Sequence, residues 1–314
     1  METTVTALLT PRHAVAPSAI PQALRTLWRE CGSEEEGTSV SRSLLTNLVV
    51  VGSLDREAEL RALLETLSGR MPCRAFLISI ASGNGVITTE VHGAARQHGT
   101  TRDLYLEQIE LRVPENAFAR VPGLVRPLLI TDLPTRCYWA CPWPHDVQRF
   151  DGLAGMADLS IVDSARFQLP ATELDAVESR RRRGMQLTDL NWLRLRPWRR
   201  AMAEVFERIH YREMAPTDVT IRYGENAMAS AALLGRWLEK RLAAHVVIEH
   251  AGTKRDCLEG VVLRHGEASA TLRLVEQSRI EVAVETEAAC FLPLHVPTSR
   301  GSEGDLLAAT IDLA

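Results

Sequence analysis

Apolar positions along the chain follow two regimes. In the first half they form short runs separated by helical spacing, and in the last quarter they alternate strictly with polar ones. "NLVVVG" (47–52) is a β-branched run of the kind covered on both faces of a sheet. "SLDREAELRALLETLSGR" then carries Leu60, Leu63, Leu64 and Leu67 on one helical stripe, with Ser53 or Asp55 as the cap and Gly69 at the end. Pro72 forbids continuation and "CRAFLISI" reads as a second strand, so the three segments predict a right-handed βαβ crossover.

Upstream, the first fifteen residues lack periodicity and read as a loose tail, "PSAIPQALRTLWRE" as a short helix, and "CGSEEEGTSVS" as a linker. Downstream, Asn84-Gly85 predicts a hairpin turn. "LYLEQIELRVP" alternates as a strand with a bulge near Gln108, which makes the sheet mixed. A helix interrupted at Pro122 and Gly123, a strand at "TRCYWAC", a short helix at "FDGLAGMAD" and a strand at "LSIVDS" complete this part. After "FQLP" come helical segments, the strand "DVTIRY" and the amphipathic "AMASAALLGRWLEKRLAA". Five alternating segments, "HVVIEH", "LEGVVLRH", "ASATLRLV", "RIEVAVET" and "CFLPLHV", follow as an antiparallel sheet. The expected architecture is a tail and short helix over 1–40, an α/β domain with a mixed sheet over 41–168, and an α+β domain over 169–314.

Composition narrows the class. At 314 residues, 46% hydrophobic and 24% charged, the chain can bury a sizeable core. A net charge of −4 offers no global attraction for nucleic acid or an anionic membrane. No apolar run reaches the roughly 18 residues of a membrane span, and Glu2 stands where a signal peptide carries basic charge, so the expected location is the cytoplasm.

Candidate chemistry dissolves on inspection. Among six cysteines only Cys137 and Cys141 lie close in sequence, and in a strand they stand roughly 13 Å apart, beyond the reach of a disulfide or a shared metal. "SGNG" (82–85) precedes a strand rather than a helix, so no helix N-terminus is offered to a pyrophosphate. His92, His98, His245, His250 and His265 lack metal-ligand spacing, and Asp163-Ser164 has no placed histidine. Asp132 and Asp158 form no better an acid/base pair, since Asp132 has a simple turn role. Eight arginines crowd residues 180–200, interleaved with Trp192 and Trp198. They admit three readings: a nucleic-acid patch, a protein contact built on Trp and Arg anchors, or solvated arginines over buried rings. The expectation is a protein without a catalytic set, cofactor or metal.

Several stretches in succession resemble the OpcA family, the glucose-6-phosphate dehydrogenase assembly proteins. They are "NLVVVG", "CRAFLISI", "EQIELRVP", "LVRPLLITDLPTRCYWACPWP", "FDGLAGMADLSIVDSARF", "TDLNWLRLRPWR" and "LLGRWLEKRL", spanning about 47–242. Tyr138-Trp139 stands where the family pattern has two tryptophans, and from about 245 on the likeness is loose. The resemblance implies a cytoplasmic protein with no reaction of its own that binds oligomeric glucose-6-phosphate dehydrogenase. It would favour that enzyme's assembly or active form, as an allosteric activator at the entry to the oxidative pentose phosphate pathway. On that reading Asp132, Pro134, Tyr138, Trp139, Trp192, Arg194, Trp198 and Arg199 form or brace the partner surface. Asp189 would cap the helix presenting the tryptophans, leaving Arg194 and Arg199 for partner carboxylates. The alternative is an α/β enzyme acting on a small phosphorylated ligand held by the arginines of 180–200.

Overall fold

The computed structural model describes residues 6–32, 39–98, 101–144, 147–208, 215–276, 278–286, 290–298 and 301–312. Two compact units divide them. The first runs to Val162 and takes in Gly184–Thr188 and the last helix; the second comprises Asp163–Arg183 and Asp189–Ser302.

The first unit is built on a ten-stranded mixed sheet. Its elements are β1 (Thr6–Leu9), β2 (His13–Val15), α1 (Ile20–Gly32), β3 (Ser39–Arg42), β4 (Thr46–Ser53), α2 (Glu57–Arg70), β5 (Cys73–Ala81), β6 (Thr88–His98) and β7 (Thr101–Pro114). The helical turns 115–128, which include α3 (Val121–Val125), lead to β8 (Thr135–Trp139), α4 (Val147–Ala154) and β9 (Leu159–Val162). β4, β5, β7, β8 and β9 run parallel in the spatial order β7-β5-β4-β8-β9. Numbered as parallel strands that order is 3-2-1-4-5, a doubly wound sheet whose direction of winding reverses between β4 and β8. Burial explains the β-branched run: Leu48, Val49, Val50 and Val51 are all at most 2% exposed. α2 packs closely on β4, and a Cβ at Gly52 would collide with Leu60 Cδ1.

Three expectations fail here. Of the expected loose tail, residues 1–5 lie outside the described residues, and the rest is held, because β1 and β2 pair antiparallel with β6, whose outer backbone groups otherwise lack a ladder. Asn84-Gly85 does not close a hairpin between β5 and β6, since β7 lies between those strands and pairs with both. The bulge falls opposite Ala94/Ala95, where Tyr105 is the extra residue, rather than near Gln108. The linker residues 33–38 lie outside the described residues, but Ser39–Arg42 adds to β7 as a parallel strand.

The second unit contains α5 (Pro170–Arg182), the end of β10 (Leu187–Asp189), α6 (Leu190–Arg194), α7 (Arg196–Arg208), β11 (Asp218–Tyr223), α8 (Met228–Leu242) and β12 (His245–His250). Strands β13 (Leu258–His265), β14 (Ala268–Val275), β15 (Arg279–Glu285) and β16 (Cys290–Pro297) complete its sheet, in the order β12-β11-β13-β14-β15-β16. The sheet is not wholly antiparallel as expected: β11 and β12 are parallel, joined through α8 as a βαβ unit. The alternating strands place Val261, Leu263, Ala270, Leu272, Ile280 and Val282 against Trp198, Met202 and Val205 of α7 and Leu234 and Leu238 of α8. A ninth helix, α9 (Glu303–Asp312), which the periodicity did not announce, belongs to the first unit. No helix among the described residues is long and apolar enough to cross a membrane.

Two buried carboxylates stand on opposite faces of β7. Glu107 takes Arg42 Nη2 at 2.6 Å and Arg74 Nε at 2.7 Å. Glu110 takes Arg61 Nε at 2.9 Å, Arg12 Nη1 at 3.0 Å, Gln108 Nε2 at 2.8 Å and the His92 ring at 3.1 Å. Burial opposes the charge on Glu110, but hydrogen bonds from Arg61 and His92 and the charges of Arg61 and Arg12 outweigh it and hold the carboxyl well below the usual range. Nearby, Arg112 first and then Arg61 depress Glu57 against the opposing effect of burial. A carboxylate whose folded pKa lies below its unfolded value adds stability above the unfolded value, and that stability is lost as pH falls. Glu110→Gln should therefore cost about 3 kcal/mol in urea denaturation at pH 7. The gap between variant and parent should narrow as pH falls below the ordinary glutamate value of 4.5; a pH-independent gap would contradict the ion-pair account.

Candidate functional site

In a doubly wound sheet the place to look first is the crevice at the carboxyl ends of the strands where the winding reverses. Here that place, beyond the ends of β4 and β8, is taken by the chain's own side chains. Arg56, just past β4, donates to the carbonyl of Ala140, just past β8, and pairs with Glu303 of α9 at 2.9 Å. The Tyr138 hydroxyl donates to the other oxygen of Glu303. The turn from β4 into α2 carries Asp55, Glu57 and Glu59, the wrong charge for a phosphate at a helix start.

The "TRCYWACPWP" segment lies beneath this closure. Trp139, 1% exposed, meets Phe118 and Phe150 edge to face at centroid distances of 6.1 and 5.6 Å, and its Nε1 donates to the Pro142 carbonyl at 3.0 Å. Tyr138 is 0% exposed, while Asp132 and Pro134 are exposed on the turn before the strand. Cys137 and Cys141 are buried thiols, and burial, with a smaller contribution from Cys141, pushes Cys137 up to about 12. A thiol so held is not a nucleophile. Among the described residues no group of His, Cys, Asp and Glu could hold a metal ion.

The second unit assembles the remaining candidates. Asp189 sits in extended backbone ahead of α6, and its carboxylate accepts from the N–H of Asn191 at 2.9 Å and of Ser164 at 3.0 Å. Burial pushes the Asp189 carboxyl up from its ordinary value although these N–H groups favour its charge. Asn191 Nδ2 donates to Ser164 Oγ at 3.0 Å, and Ser230 Oγ of α8 donates to Asn191 Oδ1 at 2.9 Å. Beside them Asp163, 2% exposed, caps its own turn through Ala165 N–H and takes a forked pair from Arg194, whose Nη2 lies at 2.9 Å. The stretches "VDSARF" and "DLNWLR" are thus two halves of one capping network. Arg194, expected to be available to a partner's carboxylates, is engaged by Asp163 within the chain.

That network aims Trp192 outward. Arg199 stacks over its ring with Cζ 3.8 Å from the centroid and donates to its carbonyl at 3.1 Å, so burial lowers the Arg199 pKa first, helped by Arg196. Trp237 of α8 meets Trp192 edge to face at 5.8 Å and 64°. Trp198, by contrast, is 6% exposed and belongs to the sheet-facing core. Between α5 and α8 the two half-buried indoles wall a groove of about 380 Å³ together with Leu174, Val177 and Leu233. Its rim is ion-paired: Arg236 with Asp175 at 2.7 Å and Lys240 with Glu178 at 3.4 Å. The basic run at the end of α5 has a local cause, since Arg180, Arg181 and Arg182 face the negative end of the helix dipole. The sequence marked "AMASAALLGRWLEKRLAA" as amphipathic but gave no role to Trp237, Arg236 or Lys240; the signal was an indole on the stripe of α8 four and eight residues past Leu233 and Ala229.

Residues 64–179 match the family described as glucose-6-phosphate dehydrogenase subunit N-terminal domain, and residues 185–313 match its C-terminal domain. The second match reaches through the region where the sequence likeness is loose. A protein of Nostoc punctiforme named as an OxPP cycle protein OpcA is 32% identical over 181 residues, covering 55% of this chain and 38% of that protein. A Synechocystis protein of the same name is 26% identical over 183 residues, covering 57% and 38%. The chain spans about two fifths of the length of these relatives. Among solved structures, KijD10, a 3-ketoreductase from Actinomadura kijaniata, aligns over 86% of this chain and 88% of that one at 10% identity and a TM-score of 0.48, a likeness too slight to bear on chemistry.

Asp189→Ala removes an acceptor shared by two buried N–H groups, so it should lower unfolding free energy by about 2–3 kcal/mol. It should also shift the near-ultraviolet signal of the Trp192–Trp237 pair. Asp189→Asn, which keeps one acceptor oxygen, should recover part of both; equal loss in the two variants would contradict the capping role.

Proposed function

The chain belongs to the OpcA family, and from that premise we propose that it is a non-catalytic protein that binds glucose-6-phosphate dehydrogenase and favours that enzyme's assembled or active form. The observation that carries the reading is the groove between α5 and α8. Two half-buried indoles make its wall and Arg236 stands on its rim, and tryptophan and arginine are residue types enriched at anchor positions in protein interfaces. A volume of about 380 Å³ suits one or two apolar side chains of a partner segment, and the paired rim charges can exchange partners across an interface at small cost.

Support for a protein without its own reaction comes from the sheet. Its switch-point crevice is filled by Arg56, Tyr138 and Glu303, and the only carboxylate clusters around β7 are held in ion pairs among the described residues. The buried thiols are inert. An activator of this kind acts by binding one state of the enzyme better than another, and moving an equilibrium from 1:99 to 99:1 takes about 5.5 kcal/mol of differential affinity. Aromatic anchors in a desolvated groove are worth about 2 kcal/mol or more each, so a handful of contacts reaches that scale. On this reading Asp132 and Pro134 remain exposed candidates for a separate contact, whereas Tyr138, Trp139 and Trp198 act as framework.

Mixing the purified chain with the dehydrogenase of the same organism should give co-elution on size exclusion and a change in NADP-linked turnover. Trp237→Ala should weaken the complex by about tenfold or more. Lys240→Glu, an exposed change that leaves the fold intact, should weaken it by a smaller factor and make it more salt-sensitive. No complex at micromolar concentration would sink the association; a complex indifferent to both substitutions would move the contact off this groove.

A further inference from the structure

A second cavity, of about 660 Å³, lies in the first unit between α1 and the β3–β5 side of the sheet. The partner reading makes no use of it. One part of its wall is apolar, formed by Leu24, Trp28 and Leu128, and the rest is cationic, formed by Arg25, Arg29, Arg42 and Arg74. Among the described residues a single lining carboxylate answers these four guanidiniums. Glu107, 2% exposed, takes Arg42 Nη2 at 2.6 Å and Arg74 Nη2 at 2.6 Å on the same oxygen, Oε2. Arg74 is further fixed by donating to the Leu128 carbonyl at 2.6 Å. Arg25 donates to Gln22 at 2.7 Å and Arg29 to Thr26 at 3.0 Å, both neutral partners on the same helix. The wall therefore carries a formal surplus of three positive charges in a concave, largely apolar setting, where a potential is focused rather than dispersed.

We propose that this cavity binds a nucleotide, its phosphates on Arg25, Arg29 and Arg42 and its base against Trp28 and Leu128. The guanidinium fork matches phosphate oxygens in pairs, and three such forks with one buried counter-carboxylate exceed what a single carboxylate ligand would require. The volume falls within the range of small-molecule sites and is too large for an inorganic anion alone, which would leave the apolar wall empty. Trp28 is half-buried with the Arg42 guanidinium 5.8 Å from its ring centroid, so indole and guanidinium together form the flat, electron-accepting and electron-donating surfaces on which a base stacks. The geometry is set in advance: Arg42 and Arg74 are immobilised by Glu107, while Arg25 and Arg29 project from successive turns of α1. The site stands apart from the groove of the second unit and does not depend on its assignment.

The test is calorimetric titration of the full chain with ADP, pyrophosphate and adenosine at low and moderate salt. ADP should bind, with pyrophosphate and adenosine each weaker by about tenfold or more, and ADP affinity should fall as salt rises. Replacing the exposed pair, Arg25→Gln with Arg29→Gln, should lower ADP affinity by about tenfold or more at unchanged Tm. Trp28→Leu should lower ADP affinity and leave pyrophosphate unaffected; Arg236→Gln, in the other unit, should change neither. Absence of ADP binding at about 1 mM overturns the proposal. So does pyrophosphate binding as tightly as ADP, or ADP binding that ignores the Arg25/Arg29 double substitution.

Discussion

Two carboxylates in the interior of β7 dictate how the first unit is put together. A charge so deep is tolerated only when cations and donors surround it, and no single element can supply enough of them. Glu110 recruits Arg61 from α2, Arg12 from the N-terminal segment and His92 from β6, while Glu107 on the opposite face recruits Arg74 from β5 and Arg42 from β3. Glu110 thereby pins the sheet to α2, and Glu107 ties β7 to its neighbours β3 and β5, through pairs that lose more by opening than they gain by forming. The N-terminal strands are held partly because Arg12, between them, completes this set.

The same economy explains why a sheet with dinucleotide-binding strand order does not present the crevice that order creates. Closing it takes one helix and one carboxylate: α9 brings Glu303 to Tyr138 and Arg56, and Leu307 and Ile311 bury beneath. An acidic helix start in place of a glycine-rich turn removes the other requirement for a pyrophosphate there. Positive charge is concentrated instead on the β3–β5 side, around Glu107, so that the architecture keeps its strand order while the electrostatics are relocated.

Much of the element order was legible because the signals were local. β-branched runs marked β4 and β5, alternation marked β13 to β15, and the capping role of Asp189 followed from its position before "LNW". What escaped was set by partners distant in sequence. β1 and β2 exist because β6 offers an open edge about eighty residues away, β7 inserts between β5 and β6 against a strong turn signal, and the parallel pairing of β11 with β12 depends on α8 crossing over. Of the site residues, Trp192 and Arg199 were found together because indole and guanidinium were close in sequence, whereas Trp237 joins them only through the packing of α6 and α8.

The motif residues of "VDSARF" and "DLNWLR" illustrate how family likeness and contact residues can differ. Asp163, Ser164, Asp189, Asn191 and Arg194 spend their polar groups on one another, leaving the Trp192 ring, with Arg199 stacked on it, to wall the groove. A half-buried indole serves as an anchor only if its position is fixed in advance, because immobilising a side chain on binding costs about 0.5–1.5 kcal/mol. A buried network whose every member has a partner supplies that rigidity, since moving Trp192 would break a cap, a forked ion pair or the Asn191–Ser230 bond. On the proposed function the motif is the mounting of an anchor: Arg236 and Lys240 on the groove's rim face the partner's charges, while the mounting residues are coupled to one another and respond to substitution as a unit.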